Sequence, residues 1–294
     1  MKKIWVLLKK IFFWIFILHI SWFLFFIIQK FTVSDFPIAR LKLKVLMVCG
    51  SIIVLGLVYY FWLRHISFVK KAAIVLKEIF FIGYISSTLY LLLGLMFNPP
   101  ITLTQTGSLL QGNGLSRDYI SYADMGSNIK LAVIASEDQL FPDHDGFDLK
   151  AIKLAMKYNK RHPNRVRGAS TISQQVAKNI FLFQGGGFFR KGLEVFFTFS
   201  IEEIWTKRII LERYLNVAEM GPGIFGVQAA AKKYFNKDAQ YLTRGEAAQI
   251  AACLPNPKRF TVKPLSRYVV GRYDDIMRQM NNLEGDADVQ EIIR

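Results

Sequence analysis

Unbroken apolar stretches dominate the first third of the chain and vanish from the rest. Residues 11–28, 45–63 and 79–97 contain no Asp, Glu, Lys or Arg, and His19 is the one side chain among them that titrates near neutral pH. At 1.5 Å per residue each is long enough to cross a bilayer as a helix. The first follows Lys2, Lys3, Lys9 and Lys10, as a secretory signal would. Its apolar core is too long for one, and Gln29-Lys30-Phe31 is no small-residue cleavage site. Arg64, His65, Lys70 and Lys71 lie between the second and third runs. The positive-inside rule therefore puts the N-terminus and this loop in the cytoplasm, and everything after residue 97 outside. Lys30, Arg40, Lys42 and Lys44 in the first loop pull the other way, and a first run lying in the interface would reverse the orientation. The expectation is a membrane anchor over residues 1–97 with three transmembrane helices.

Beyond Asn98-Pro99-Pro100 the pattern changes. Residues 98–125 are polar and Gly-containing, without a strong period, and read as a connector. From 126 to 294 apolar positions recur at helical spacing. The predicted helices cover 127–137 and 149–158, one opening at Ser170 or Thr171, a long one over 189–215, then 224–235, 244–254 and 266–283. Thr243-Arg244-Gly245-Glu246 is a capping box. Gly185-Gly186-Gly187 reads as a mobile flap between two functional helices, or as an ordinary linker. Strand-like alternation is strong nowhere. The predicted fold class is mainly α.

Composition sharpens this only in part. Of 294 residues 52% are hydrophobic, the excess lying before residue 98, so the remainder reads as one globular domain. A formal net charge of +16 calls for an anionic partner: nucleic acid, anionic lipid or a phosphorylated substrate. The apolar runs favour the last two. Cys49 and Cys253 both sit in apolar contexts, which suits two buried thiols better than a disulfide, and no metal-ligand spacing is present.

Candidate chemistry begins where the apolar run Leu131-Ala132-Val133-Ile134-Ala135 ends in Glu137-Asp138. A catalytic acid or base needs rigid support and an apolar wall that raises its pKa. The plainer reading is a helix dissolving into a polar loop. On the following helix Thr171, Gln175, Lys178 and Asn179 share one face, opposite Ile172, Val176 and Ile180. Amides, a hydroxyl and one lysine suit sugar and phosphate better than a solvated face does, though the solvated face stays open. Arg190-Lys191 near a helix start opposes the macrodipole, so Glu194 or a ligand phosphate must compensate. Asp143-His144-Asp145-Gly146 suggests a calcium loop but lacks the later glutamate.

Together these segments resemble the peptidoglycan glycosyltransferases of family 51. The resemblance rests on Glu137-Asp138-x-x-Phe141-x-x-His144-x-Gly146, Gly168-x-Ser170-Thr171-x-x-x-Gln175-x-x-Lys178-Asn179 and Arg190-Lys191-x-x-Glu194. Tyr214-Leu215-Asn216 through Gly226, Ala229 and Tyr234-Phe235 resembles the family's fourth motif, and Leu242-Thr243-Arg244-x-Glu246 through Leu254-Pro255-Asn256-Pro257 the fifth. The motifs run in order over residues 120–282. No transpeptidase domain is expected after them, and Ser67-x-x-Lys70 matches a serine-lysine motif without its companions. The likeness is thus to the monofunctional biosynthetic peptidoglycan transglycosylases. Those carry one membrane anchor, and the extra hydrophobic hairpin over residues 41–97 departs from that pattern.

The resemblance implies a lysozyme-like helical glycosyltransferase domain preceded by transmembrane helices. It implies polymerisation of lipid II, with the GlcNAc 4-hydroxyl attacking C1 of a MurNAc whose lipid pyrophosphate leaves with inversion. Glu137 would be the base and Glu194 the second family glutamate, orienting Arg190, the acceptor or a metal. Asp138 and His144 would shape the base's site, and Phe141 would pack. Ser170, Thr171, Gln175 and Asn179 would hold substrate oxygens, and Lys178, Arg190 and Lys191 the pyrophosphate. No cofactor is required, and a divalent metal would enter only through the pyrophosphate. The implied partners are lipid II, the growing undecaprenyl-pyrophosphate strand, the membrane, and proteins of cell-wall synthesis or division, with no nucleic acid. The implied place is the bacterial inner membrane, multi-pass, with the catalytic domain on the periplasmic face. A lysozyme-like glycan-cleaving enzyme and a non-catalytic membrane assembly factor are the alternatives.

Overall fold

The computed structural model describes residues 2–33, 50–51, 54–183, 185 and 187–294. They divide into two units, Met1–Tyr90 and Leu91–Arg294. In the first unit the leading apolar run becomes helix α1 (Lys2–Val33), and α2 (Ser67–Leu93) follows a short 3-10 turn at Leu63–His65. Val6–Lys30 and Ser67–Leu93 are each long and apolar enough to cross a membrane. Two polar pairs join these helices. Lys9 Nζ is 2.6 Å from Glu78, and His19 Nδ1 is 3.1 Å from the Tyr84 hydroxyl. Such pairing is what an apolar surrounding favours. Residues 54–61 are helical as well. The rest of the expected second span, 45–49 and 52–53, lies outside the described residues, as do Cys49 and the loop cations Arg40, Lys42 and Lys44.

The expected third run, 79–97, has different bounds. Its helix starts at Ser67, because Lys70, Lys71, Lys77 and Glu78, which interrupt the apolar pattern, are good helix formers. It stops at Leu93, and around that end, within the second unit, two carbonyls accept side-chain donors. The Trp205 indole donates to Leu91 O at 2.9 Å and Arg213 Nε to Gly94 O at 3.0 Å.

The expected connector is part of the second unit rather than irregular chain. Thr102 and Gln105 form a capping box that starts α3 (Leu103–Leu110), and Ser116–Arg117 form strand β1. Next come α4 (Ser127–Glu137), α5 (Leu149–Arg161) and α6 (Ile172–Phe181). The long helix predicted over 189–215 is two, α7 (Gly187–Ile204) and α8 (Lys207–Val217). The break falls where Trp205 turns inward, 4% exposed, and the Thr206 hydroxyl caps α8 by accepting from Ile209 N. Two short strands follow, β2 (Glu219–Gly221) and β3 (Ile224–Phe225), so the next helix starts later than expected, as α9 (Val227–Phe235). β3 is the centre of a small sheet, parallel to β1 and antiparallel to β2. Gly226 permits that compact turn: it has φ +85°, and a Cβ there would lie 2.6 Å from Asn216 O. α10 (Arg244–Cys253) starts at the predicted capping box and α11 (Arg267–Leu283) at Ser266. A further helix, α12 (Ala287–Ile293), is capped by Asp286.

The core forms around α4. Every residue from Ile129 to Ala135 is buried, against α10 and α11. A second layer packs α6 on α7, α8 and α3. Both helices that carry candidate chemistry are therefore held from behind by apolar contacts.

Candidate active site

Glu137 is the last residue of α4, and Asp138 leaves the helix at φ −161°. That change of direction sends the two neighbouring carboxylates to different tasks. Asp138, 7% exposed, turns inward. One of its oxygens accepts the Ile172 amide at the start of α6 at 2.9 Å, and the other accepts His144 Nε2 at 2.9 Å. The Gly146 amide donates to His144 Nδ1 at 3.1 Å, which leaves Nε2 carrying the proton. Lys207 Nζ holds the same loop from behind, donating to His144 O at 2.5 Å and to Glu202 at 2.9 Å. Phe141 is fully buried beneath it. Gly146, at φ +83°, has no room for a Cβ, which would meet Thr198 and Glu202 below 3 Å. Asp138 and His144 thus act as a clamp joining the end of α4, the 141–146 loop and the start of α6.

The clamp gives a testable stability effect. In Asp138→Asn the amide nitrogen must face either the Ile172 N–H or the His144 N–H, donor against donor. The loss of a buried charged acceptor at a helix N-terminus is expected to lower stability by about 2 kcal/mol. Denaturation of the two proteins in the same detergent reads it, and equal midpoints would contradict the clamp.

Glu137 faces the opposite way. Its Oε2 accepts Gln175 Nε2 at 2.6 Å, and Gln175 Oε1 accepts the buried Tyr214 hydroxyl at 3.3 Å. Burial drives the Tyr214 phenol well above its ordinary pKa, so it stays a donor. Burial also raises the Glu137 carboxyl; the Gln175 bond, Arg272 and Lys178 pull it down, and Asp138 pushes it up. Glu137 lines a cleft of about 730 Å³ with Ser170, Gln175, Lys178, Leu254 and Pro255. A second cleft, of about 600 Å³, shares Gln175, Lys178, Leu254 and Pro255, and extends past Asn179 to Glu219 and Lys258. Gln175 and Lys178 stand where the two meet.

Among the described residues the Lys178 ammonium has no hydrogen-bonded or ion-paired partner. Burial lowers its pKa, Glu194 opposes that, and Arg190 adds to it. Glu194 is 3% exposed and is held by Lys191 and, at 3.3 Å, by Arg190 Nη1. It is the anion that compensates two cations near the start of α7. Arg190 Nε is buried without an acceptor. Arg190, Lys191 and Glu194 line neither cleft, and reach Lys178 through their charges. Gly186 of the expected flap lies outside the described residues.

The remaining expected site residues separate. Ser170 is exposed on the rim of the first cleft and Asn179 lines the second. Thr171 is occupied by the fold: its hydroxyl donates to Gly146 O at 2.7 Å and accepts Gln174 N at 3.2 Å. Sequence reasoning did not reach Tyr214 as a partner of Gln175, Glu219 and Lys258 as cleft residues, or Arg272. Tyr214 stands inside a quoted motif, and nothing local marks the other three.

A family model described as Transglycosylase matches residues 104–281. The chain is 55% identical over 170 residues to a biosynthetic peptidoglycan transglycosylase of Pectobacterium carotovorum, covering 58% of this chain and 70% of that protein. It is 50% identical over 198 residues to one from Escherichia coli, covering 66% and 82%, and 54% identical over 174 residues to one from Yersinia pseudotuberculosis, covering 59% and 72%.

Proposed function

The chain belongs to the transglycosylase family, and from that premise we propose that it polymerises lipid II with Glu137 as the general base. It is a peptidoglycan glycosyltransferase. The observation that supports the assignment of the base is the Glu137 carboxylate. It lines one cleft, oriented by a 2.6 Å bond from Gln175, and that cleft joins the second at Gln175 and Lys178. Two clefts that share Gln175 and Lys178, one of them walled by Glu137, suit a reaction that joins two glycans.

Glu137 takes the proton of the acceptor GlcNAc 4-hydroxyl as its oxygen bonds to C1 of the donor MurNAc. The C1–O bond to pyrophosphate breaks on the opposite face, and the configuration inverts. Negative charge grows on the departing pyrophosphate. Lys178, with Arg190 and Lys191 behind it, stabilises that charge, and Glu194 positions the two α7 cations. Gln175 aims the base, while Ser170 and Asn179 offer hydrogen bonds to sugar oxygens. A divalent metal would act through the pyrophosphate alone. The test is incubation of the purified full-length chain with labelled lipid II in detergent. Growth of a glycan ladder is expected, and lipid II left unchanged by folded protein would sink the reading.

The apolar N-terminal helix suggests membrane anchoring. The finer reading is a multi-pass anchor with residues 98–294 on the periplasmic face, where lipid II and partner proteins of cell-wall synthesis or division would be met. A reporter fused after Arg294 is expected to be active only outside the cytoplasm, and one inserted at Ser67 only inside. Cytoplasmic signal from the Arg294 fusion would refute the three-span arrangement.

A further inference from the structure

Arg272, in the second turn of α11, is a cation with no evident structural duty. Its Nε is buried and meets no acceptor. Among the described residues no carboxylate forms an ion pair with it. Its side chain lines a cavity of about 220 Å³ with Ala135 and Gln139, which bracket Glu137 along the chain, and with Ile276. It lines neither large cleft. A donor buried without an acceptor calls for an explanation, and a service to a neighbouring charge is one. α11 packs directly on α4, whose last residue is Glu137.

We propose that Arg272 is a positioning residue of the glycosyl transfer, supplying from outside the clefts the fixed positive charge that keeps the Glu137 side chain able to accept a proton. The groups around Glu137 leave that task to it. Asp138 is a like charge next in the chain. From α6, Gln175 donates a neutral hydrogen bond and Lys178 adds a positive charge, and both pull the Glu137 pKa down as Arg272 does. From α8 and α10, Tyr214 and Cys253 are held protonated by burial, the thiol pushed up to about 12. Asp148 stands across the same cleft. Around Arg272 itself, Asp275 and Arg278 of its own helix line the small cavity with opposite charges. Lys178 faces the substrate, and its charge is drawn on by the leaving pyrophosphate during turnover. Arg272 lines only the small cavity on α11, apart from the two clefts.

This rests on Glu137 being the base, and the experiment separates the two claims. The pH dependence of kcat/KM for lipid II polymerisation is measured on the full-length chain in detergent for the parent, Arg272→Gln, Arg272→Lys and Glu137→Gln. Loss of the charge is expected to move the acid limb to higher pH by about half a unit or more. That is roughly a threefold loss on the acid side, narrowing as the pH rises. Arg272→Lys keeps the charge and is expected to keep the limb in place, since the role needs no planar fork. Should Arg272→Gln fail to fold, Arg272→Met retains the packing of the stem and reads the same shift. An unmoved limb, a loss uniform across pH, or the same shift in Arg272→Lys overturns the proposal while an inactive Glu137→Gln leaves the base in place. An active, folded Glu137→Gln overturns the base itself and this proposal with it.

Discussion

Glu137→Gln is expected to give a folded protein whose polymerisation of lipid II is slower by at least on the order of 10²-fold. The substitution keeps the shape of the side chain and removes its proton affinity. The fold should not notice, because α4 is anchored by buried residues from Ile129 to Ala135 and the clamp is made by Asp138. The new amide can present its own oxygen to Gln175 Nε2, so Gln175 keeps its orientation and the bond from Tyr214 survives. Burial raises the Glu137 pKa, so the parent's rate should climb with pH as the carboxylate forms. Circular dichroism checks the fold and a lipid II assay the rate. Near-parental turnover by the folded variant would remove Glu137 from the chemistry.

Lys178→Ala and Arg190→Ala are each expected to lower kcat by roughly 10²-fold, the scale of losing one preorganised donor to a developing charge. Pyrophosphate-lipid gathers negative charge as it departs. A fixed cation beside it stabilises the transition state more than the bound substrate, so kcat should fall as well as affinity. Lys178 is rigid enough for this, since Ile172, Val176 and Ile180 bury the back of α6. Arg190 differs from Lys178 in that its Nη1 bonds Glu194 at 3.3 Å. With Glu194 buried and Arg190 partly so, a purely structural pair of that kind would contribute to stability and nothing to turnover. Yet Lys191 already binds the same carboxylate, and Arg190 keeps a buried Nε without an acceptor. A guanidinium fork matches phosphate better than an ammonium does, so Arg190→Lys should rescue only in part. If Arg190→Ala polymerises at close to the parental rate, its pairing with Glu194 is purely local and the leaving-group site centres on Lys178.

The helices most legible in the sequence were those with explicit ends. α4 is found residue for residue because its apolar run lies between Gly126 and the Glu137-Asp138 pair. α10 and α11 begin at the Thr243 and Ser266 caps. α3 carries the same kind of signal in Thr102 and Gln105, hidden in a stretch that looked polar throughout. The break between α7 and α8 has neither Gly nor Pro to announce it. It is made by Trp205 reaching Leu91, 114 positions away, which no local window contains. β2 and β3 are too short to alternate. That Gln175 and Lys178 share a cleft was legible from their spacing on one helix face, and the place of Glu137 from the apolar run that ends at it. The clamp role of Asp138, the occupied hydroxyl of Thr171 and the charge of Arg272 depend on contacts between distant elements, and spacing cannot carry those.

The central claim is transfer from one lipid-linked glycan to another, and its stoichiometry tests it most directly. The purified chain is given lipid II labelled in both sugar and lipid, and two quantities are followed: lipid pyrophosphate released and disaccharide incorporated into polymer. The account predicts that they rise together, about one for one, with no free reducing disaccharide. Lipid pyrophosphate released without polymer, or preformed glycan strands growing shorter, would show water as the acceptor and contradict it.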